Sequence, residues 1–175
     1  MGIRALTDTN LYEQVVQNYL GIFEHLILMP QFLVVFKGEG RVADERWQPC
    51  FWEDVKGRSS AYDKSLDVLA VDVKRRVAQV VEVTKAPTPG NQLANMLLLK
   101  RGEDDHLTDG EIIERYVKWF LGEGFTVQWR FFFPGGKNNK NVEAFKRNFK
   151  NNPISDKVIV TPLEDVFDKL RSERP

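Results

Sequence analysis

The sequence predicts a single α/β domain built on a mixed sheet, and three observations carry that expectation. Two Val- and Leu-rich runs of strand length, residues 66–73 and 77–84, flank the basic triplet Lys74-Arg75-Arg76 too closely for a helix to intervene. They read as an antiparallel hairpin. Segments with helical spacing lie on both sides of it, the clearest opening at Thr108 with Glu111 three residues on. An aromatic run, 125–133, then sits between two helical segments, the order that produces a parallel crossover. A chain of 175 residues, 42% hydrophobic and 29% charged, has the size and composition of one globular domain spanning 1–175.

Taken in order, residues 10–28 form the first expected helix. Asn10 can cap it with Glu13 as the reciprocal partner, and Leu11, Val15, Tyr19, Ile22, Phe23 and Leu26 make its apolar stripe. Glu13, Gln17 and Glu24 fall along one edge of that stripe. Pro30 is expected to close the helix, because the residue before proline resists the α region. Residues 31–37 then read as a buried strand, and the aromatic stretch after Arg46 as a second strand ending near Val55. After the hairpin, 85–92 is a Pro/Gly loop and 91–100 a short apolar helix. The helix opened by Thr108 buries Ile112, Tyr116, Trp119 and Phe120 and stops at Gly122 or Gly124. A helix over 142–149 and a strand over 157–160 follow the aromatic run. Thr161-Pro162-Leu163-Glu164 then reads as a capped start to the last helix, with proline at its first position.

Composition bounds the function classes. Net charge is zero, so no global field announces a nucleic-acid partner. The lone Cys50 excludes an internal disulfide and, with His25 and His106 outside any motif, argues against zinc. There is no apolar signal core, myristoylation pattern or membrane-length apolar run, so the expectation is a cytoplasmic protein with no membrane partner. The Gly135-Gly136-Lys137 loop lacks the first glycine of a phosphate-binding loop and has Asn138 where Ser or Thr would hold Mg²⁺.

The chemistry concentrates in the hairpin. With the turn centred on Lys74-Arg75, Asp67 faces Glu82 at one end of an apolar face formed by Leu69, Val71, Ala78 and Val80. Like charges opposed across a ladder are destabilising unless something binds between them. A divalent cation, Mg²⁺ or Mn²⁺, is the simplest candidate, because such ions are held by one or two carboxylates plus substrate phosphate.

Asp67, Glu82 fifteen residues later and Lys85 just after it resemble the PD-(D/E)xK nuclease superfamily. The resemblance implies a restriction-endonuclease-like αβββαβ core over about 10–133, with a helix–strand–helix extension over 134–175. It implies metal-dependent hydrolysis of phosphodiesters, with Asp67, Glu82 and Lys85 catalytic and a nucleic acid, DNA, as partner. It also implies a glutamate of the first helix at the metal, so Asp67, Glu82 and Glu24 are the expected ligands, with Glu13 the other candidate. The chain departs from the family in reading Glu82-Val83-Thr84-Lys85 where the motif is Glu-x-Lys. Alternation puts Thr84 on the face of Glu82 and Lys85 on the other. A β-bulge or strand end at Val83-Thr84 is therefore expected to turn Lys85 back. Two more acid-x-Lys triplets, Asp54-Val55-Lys56 and Asp72-Val73-Lys74, read as chance matches.

Between residues 134 and 157 six Lys/Arg stand against two acids, a local basic surface in a neutral chain. Lys137, Lys140, Arg147 and Lys150 are its expected phosphate-backbone contacts. Two other readings remain open: a catalytically silent module of the same fold that binds nucleic acid or protein, and an unrelated α/β protein that self-associates, as a homodimer, through the strand 125–133.

Overall fold

In a computed structural model, described here for residues 8–38, 46–56, 61–84, 91–100, 107–134 and 140–173, the chain is a single α/β domain. Among the described residues it has five α-helices and a six-stranded mixed sheet. The helices are α1 (Asp8–Ile22), α2 (Asn91–Leu98), α3 (Asp109–Leu121), α4 (Lys140–Arg147) and α5 (Leu163–Ser172). The strands are β1 (Ile27–Lys37), β2 (Gln48–Pro49), β3 (Ala61–Asp72), β4 (Val77–Val83), β5 (Thr126–Phe133) and β6 (Val158–Pro162). Their order across the sheet is β2-β1-β3-β4-β5-β6. The pairs β2/β1, β1/β3 and β3/β4 are antiparallel, and β4/β5 and β5/β6 are parallel, each parallel step crossing over through helix.

The hairpin β3–β4 has the register expected from its tight turn: Val71 pairs with Ala78, Leu69 with Val80 and Val68 with Val81. Alternation splits these residues between two cores. Leu69, Val71, Ala78 and Val80 pack with residues of α2, α3 and α4. Val68, Ala70, Val81 and Val83 pack beneath α1 and α5, with Val16, Leu20, Leu163 and Val166. The sheet is thus sandwiched between two helical layers. The turn is closed by Asp72, whose Oδ1 accepts from the Arg75 N–H at 2.9 Å, and by Arg76 at φ 54°. Asp54 likewise accepts from the Phe51 N–H in a short 3₁₀ turn, Trp52–Asp54. Turn-capping accounts for both chance triplets.

Several expected elements differ. The first helix ends at Ile22, and Pro30 lies inside β1. The partner β2 pairs only with Phe36 and Lys37, so among the described residues Pro30 lies on an edge stretch of β1, where a strand tolerates proline. Because α1 begins at Asp8, Asn10 and Glu13 are not its cap and third residue. The expected second strand shrinks to Gln48–Pro49 followed by the 3₁₀ turn. Thr161 does not cap α5: it belongs to β6, and its hydroxyl accepts from Arg130 Nε at 3.3 Å. The Thr108/Glu111 capping box and the stop at Gly122, with φ 109°, form as expected. The aromatic β5 is no self-association edge. It lies between β4 and β6, with Trp129, Phe131, Phe132 and Phe133 wholly buried, so its aromatics fill the two cores.

Candidate active site

The ladder between β1 and β3 is interrupted once. Pro30 pairs with Val68 and Phe32 with Leu66, but Gln31 and Asp67 between them do not pair. Gln31 has φ 52°, left-handed backbone in mid-strand, which a residue with a side chain adopts at a cost of about 1 kcal/mol or more. On the other side of β3 the hairpin ladder stops at Val68–Val81, one step short of Asp67–Glu82. Asp67 therefore stands where β3 loses backbone pairing on both sides. Its side chain takes over: Oδ2 accepts from the Val83 N–H at 2.6 Å.

Glu82 continues the face of Ala78 and Val80, and its Oε1 is buried without a hydrogen-bond partner. Burial first, then the negative charge of Asp67, push its carboxyl up to about 8; Lys64 pulls it down and Glu13 pushes it further up. Burial also raises the Asp67 carboxyl, against the pull of the Val83 N–H. Glu13 reaches the pair from α1. It is only 9% exposed, its Oε2 accepts from Gln31 Nε2 at 3.2 Å, and its carboxyl is raised by burial and by Asp67, with Gln31 acting the other way. Three carboxyl groups, each raised by burial, thus crowd the carboxyl end of β4. A buried carboxylate oxygen with no donor is costly. A cation entering there would offset both the repulsion and the missing bond.

Of the expected ligands, Asp67 and Glu82 are brought together and Glu24 is not. The carboxylate of Glu24 grips Arg130 with two bonds, 2.6 and 2.9 Å, near the turn end of the hairpin, where it lines a cleft with His25, Asp72 and Lys74. Arg130, 8% exposed, is also bonded to Gln79 Oε1 at 3.2 Å and lies over the Phe132 ring, 4.9 Å from its centroid. Glu24 is committed to that pair; the α1 glutamate at the hairpin carboxylates is Glu13. Its place along the stripe of α1 was the available signal. The side-chain amide of Gln31 donates to it there.

Lys85 lies outside the described residues, although β4 does end at Val83, where a bulge or strand end was expected. Lys137 also lies outside them. Lys140 opens α4, while Arg147 at its end and Lys150 beyond it are exposed. The segment leaves β5 at Phe133, and Phe132 pairs with Val83, so it starts at the same end of the sheet as Glu82. Among the described residues, no three His, Cys, Asp or Glu are gathered closely enough to enclose a metal unaided, and no helix is long and apolar enough to cross a membrane. Comparison of the chain with protein-family models, curated proteins and solved structures finds no match.

Proposed function

We propose that this protein is a metal-dependent hydrolase of nucleic-acid phosphodiesters, related in architecture to the restriction-endonuclease-like nucleases. One observation carries the reading. Asp67 and Glu82 face each other where the hairpin ladder ends, and Glu82 has a buried oxygen with no donor. The order α1, β1, β3, β4, then helix and β5 supports it, since αβββαβ is the arrangement that the family resemblance implies. The donor set suits Mg²⁺ or Mn²⁺: hard oxygens from one or two carboxylates, with remaining positions left to water and phosphate. Such an ion, when bound, polarises the phosphate and lowers the pKa of a coordinated water.

The chain's own contribution is placement. The Val83 N–H fixes one oxygen of Asp67 and leaves the other to a ligand. Glu82 must lose the proton that its raised pKa holds near neutrality, so cation uptake is coupled to proton release and strengthens with pH. Glu13, held by Gln31, deepens the negative field that attracts the cation. Arg147 and Lys150 belong to the surface that would carry the nucleic-acid backbone.

A catalytically silent module of the same fold is the second reading, favoured by the departed Glu-x-x-Lys spacing. Plasmid nicking and thermal melting with Mn²⁺ test the proposal together. The wild type should nick DNA and gain about 2.7 kcal/mol of stability when Mn²⁺ stands at a hundred times its dissociation constant. Asp67→Asn and Glu82→Gln should each lose both responses, and Glu24→Gln should keep the nicking. Metal-indifferent melting together with absent cleavage would overturn the activity. Nucleic-acid binding that persists in EDTA would then select the silent module.

A further inference from the structure

Regular alternation along β3 would set Lys64 on the sheet face opposite Leu69, Val71 and Glu82. The fold does otherwise. Tyr62 and Leu66, two residues to either side of Lys64, pack in the same core as Leu69, Val71 and Val80, whereas Val68 and Ala70 pack in the other. The facing of β3 therefore reverses between Leu66 and Val68, at Asp67. Strand β1 reverses with it: Met29 and Phe32, three residues apart, both face the first core, and the left-handed Gln31 lies between them. This paired reversal carries Lys64 onto the side of Glu82. There its Nζ lies 2.9 Å from Met96 Sδ of α2, a thioether that accepts only weakly. Lys64 thus shares with Glu82 both a sheet face and the end of the sheet at which β4 stops.

We propose that Lys64, delivered by the Gln31/Asp67 reversal, is the catalytic lysine of this site, contacting a non-bridging oxygen of the phosphate held at Asp67 and Glu82. The assignment rests on the phosphodiester reading above and gives Lys64 the role that the Glu-x-x-Lys spacing assigned to Lys85. In the reaction, the oxygen of water bonds to phosphorus and the ester P–O bond to the leaving group breaks. One water proton ends on the leaving oxygen, and the hydroxyl stays on phosphorus. Lys64 keeps its proton throughout and stabilises the charge that builds on the phosphoryl oxygens. Its thioether contact can be given up to substrate at little cost.

The test combines Mn²⁺-dependent plasmid cleavage with the titration of Glu82, followed by carboxyl carbon NMR on the full chain. Lys64→Gln should cut cleavage about 100-fold or more, the usual loss of one charge-stabilising donor, and Lys64→Arg should recover part of it. In Lys64→Gln the titration midpoint of Glu82 should rise, a change that simple loss of packing against Met96 would not produce. Full cleavage by Lys64→Gln, or an unmoved Glu82 midpoint, overturns the assignment while leaving the phosphodiester reading standing. A wild type that cleaves no nucleic acid overturns that reading, and Lys64 as its catalytic lysine with it.

Discussion

The two ends of the β3–β4 hairpin each hold a partly buried glutamate, and they resolve it in opposite ways. Near the turn, Glu24 meets Arg130 in a two-bond grip, backed by Gln79, Thr161 and the Phe132 ring. At the open end, Glu82 meets Asp67 and Glu13, and one of its oxygens has no partner. The first cluster completes itself with its own side chains; the second leaves a buried oxygen of Glu82 without a donor. What separates the two ends is where the nearby cation is bonded: Arg130 grips Glu24 directly, whereas Lys64 at the open end is bonded to Met96 Sδ.

The largest expected effect lies at the completed end. Arg130→Met should cost about 3 kcal/mol, since removing one partner of a buried pair strands the other. The figure belongs at the low end of the range because the Glu24 side chain keeps 25% of its surface exposed. Urea denaturation checks it. Removing both partners in Arg130→Met with Glu24→Leu should restore most of the loss, because apolar replacements avoid the stranded charge. Failure of that rescue would mean that Arg130 works mainly through Gln79 and Thr161.

The second effect is smaller, has the opposite sign and depends on pH. The carboxyl of Glu82 is raised in the folded protein from 4.5 to about 8. The native state thus binds more protons than the unfolded one between those values, and stability falls as pH rises through that window. Across pH 6–8 the wild type should lose about 2 kcal/mol, at about 1.4 kcal/mol per pH unit where the linkage is complete. Glu82→Gln should flatten this slope and be the more stable protein at pH 8. Glu24→Gln should leave the slope in place. Melting curves at the two pH values separate the ends, and a wild type with no pH slope would show that Glu82 is already neutralised by a partner.

Much of this contrast was legible in the sequence, and the missing parts share one cause. The hairpin register followed from a tight turn between two apolar runs, so Asp67 opposite Glu82 could be read directly. The α3 cap and the aromatic β5 were equally local. The partner of Glu24 is 106 residues away, and no local pattern announces it. Pro30 signals a helix stop by its own chemistry, and only the short reach of β2 along β1 makes it acceptable in a strand. Gln31 hides most, because glutamine carries no preference for positive φ. That left-handed residue sits where the facing of both strands reverses, and its side chain holds Glu13.

That dihedral supplies the sharpest way to break the comparison. At the Arg130 end the left-handed residues, His25 after Glu24 and Arg76 in the turn, lie outside the strands, whereas Gln31 lies within one. At the open end Gln31 holds φ 52° and donates to Glu13. Gln31→Gly removes the amide but adopts the left-handed backbone freely. The lost hydrogen bond and the relieved strain, each about 1 kcal/mol, should nearly cancel. The variant should therefore unfold within about 1 kcal/mol of wild type and keep its stabilisation by Mn²⁺. Gln31→Val offers a β-branched residue for which positive φ is a true outlier. Relaxing to regular pairing would send Tyr62, Lys64 and Leu66 to the wrong face, because a change of facing in a strand carries every residue beyond it. Neither route is free, so Gln31→Val should lose about 2 kcal/mol or more, and its Mn²⁺ response should weaken as Glu13 and Lys64 shift. Urea melts of both variants with and without Mn²⁺ decide the matter. Equal behaviour of the two would show that the reversal is enforced by the packing of Leu66 and Phe32, with Gln31 merely tolerating it.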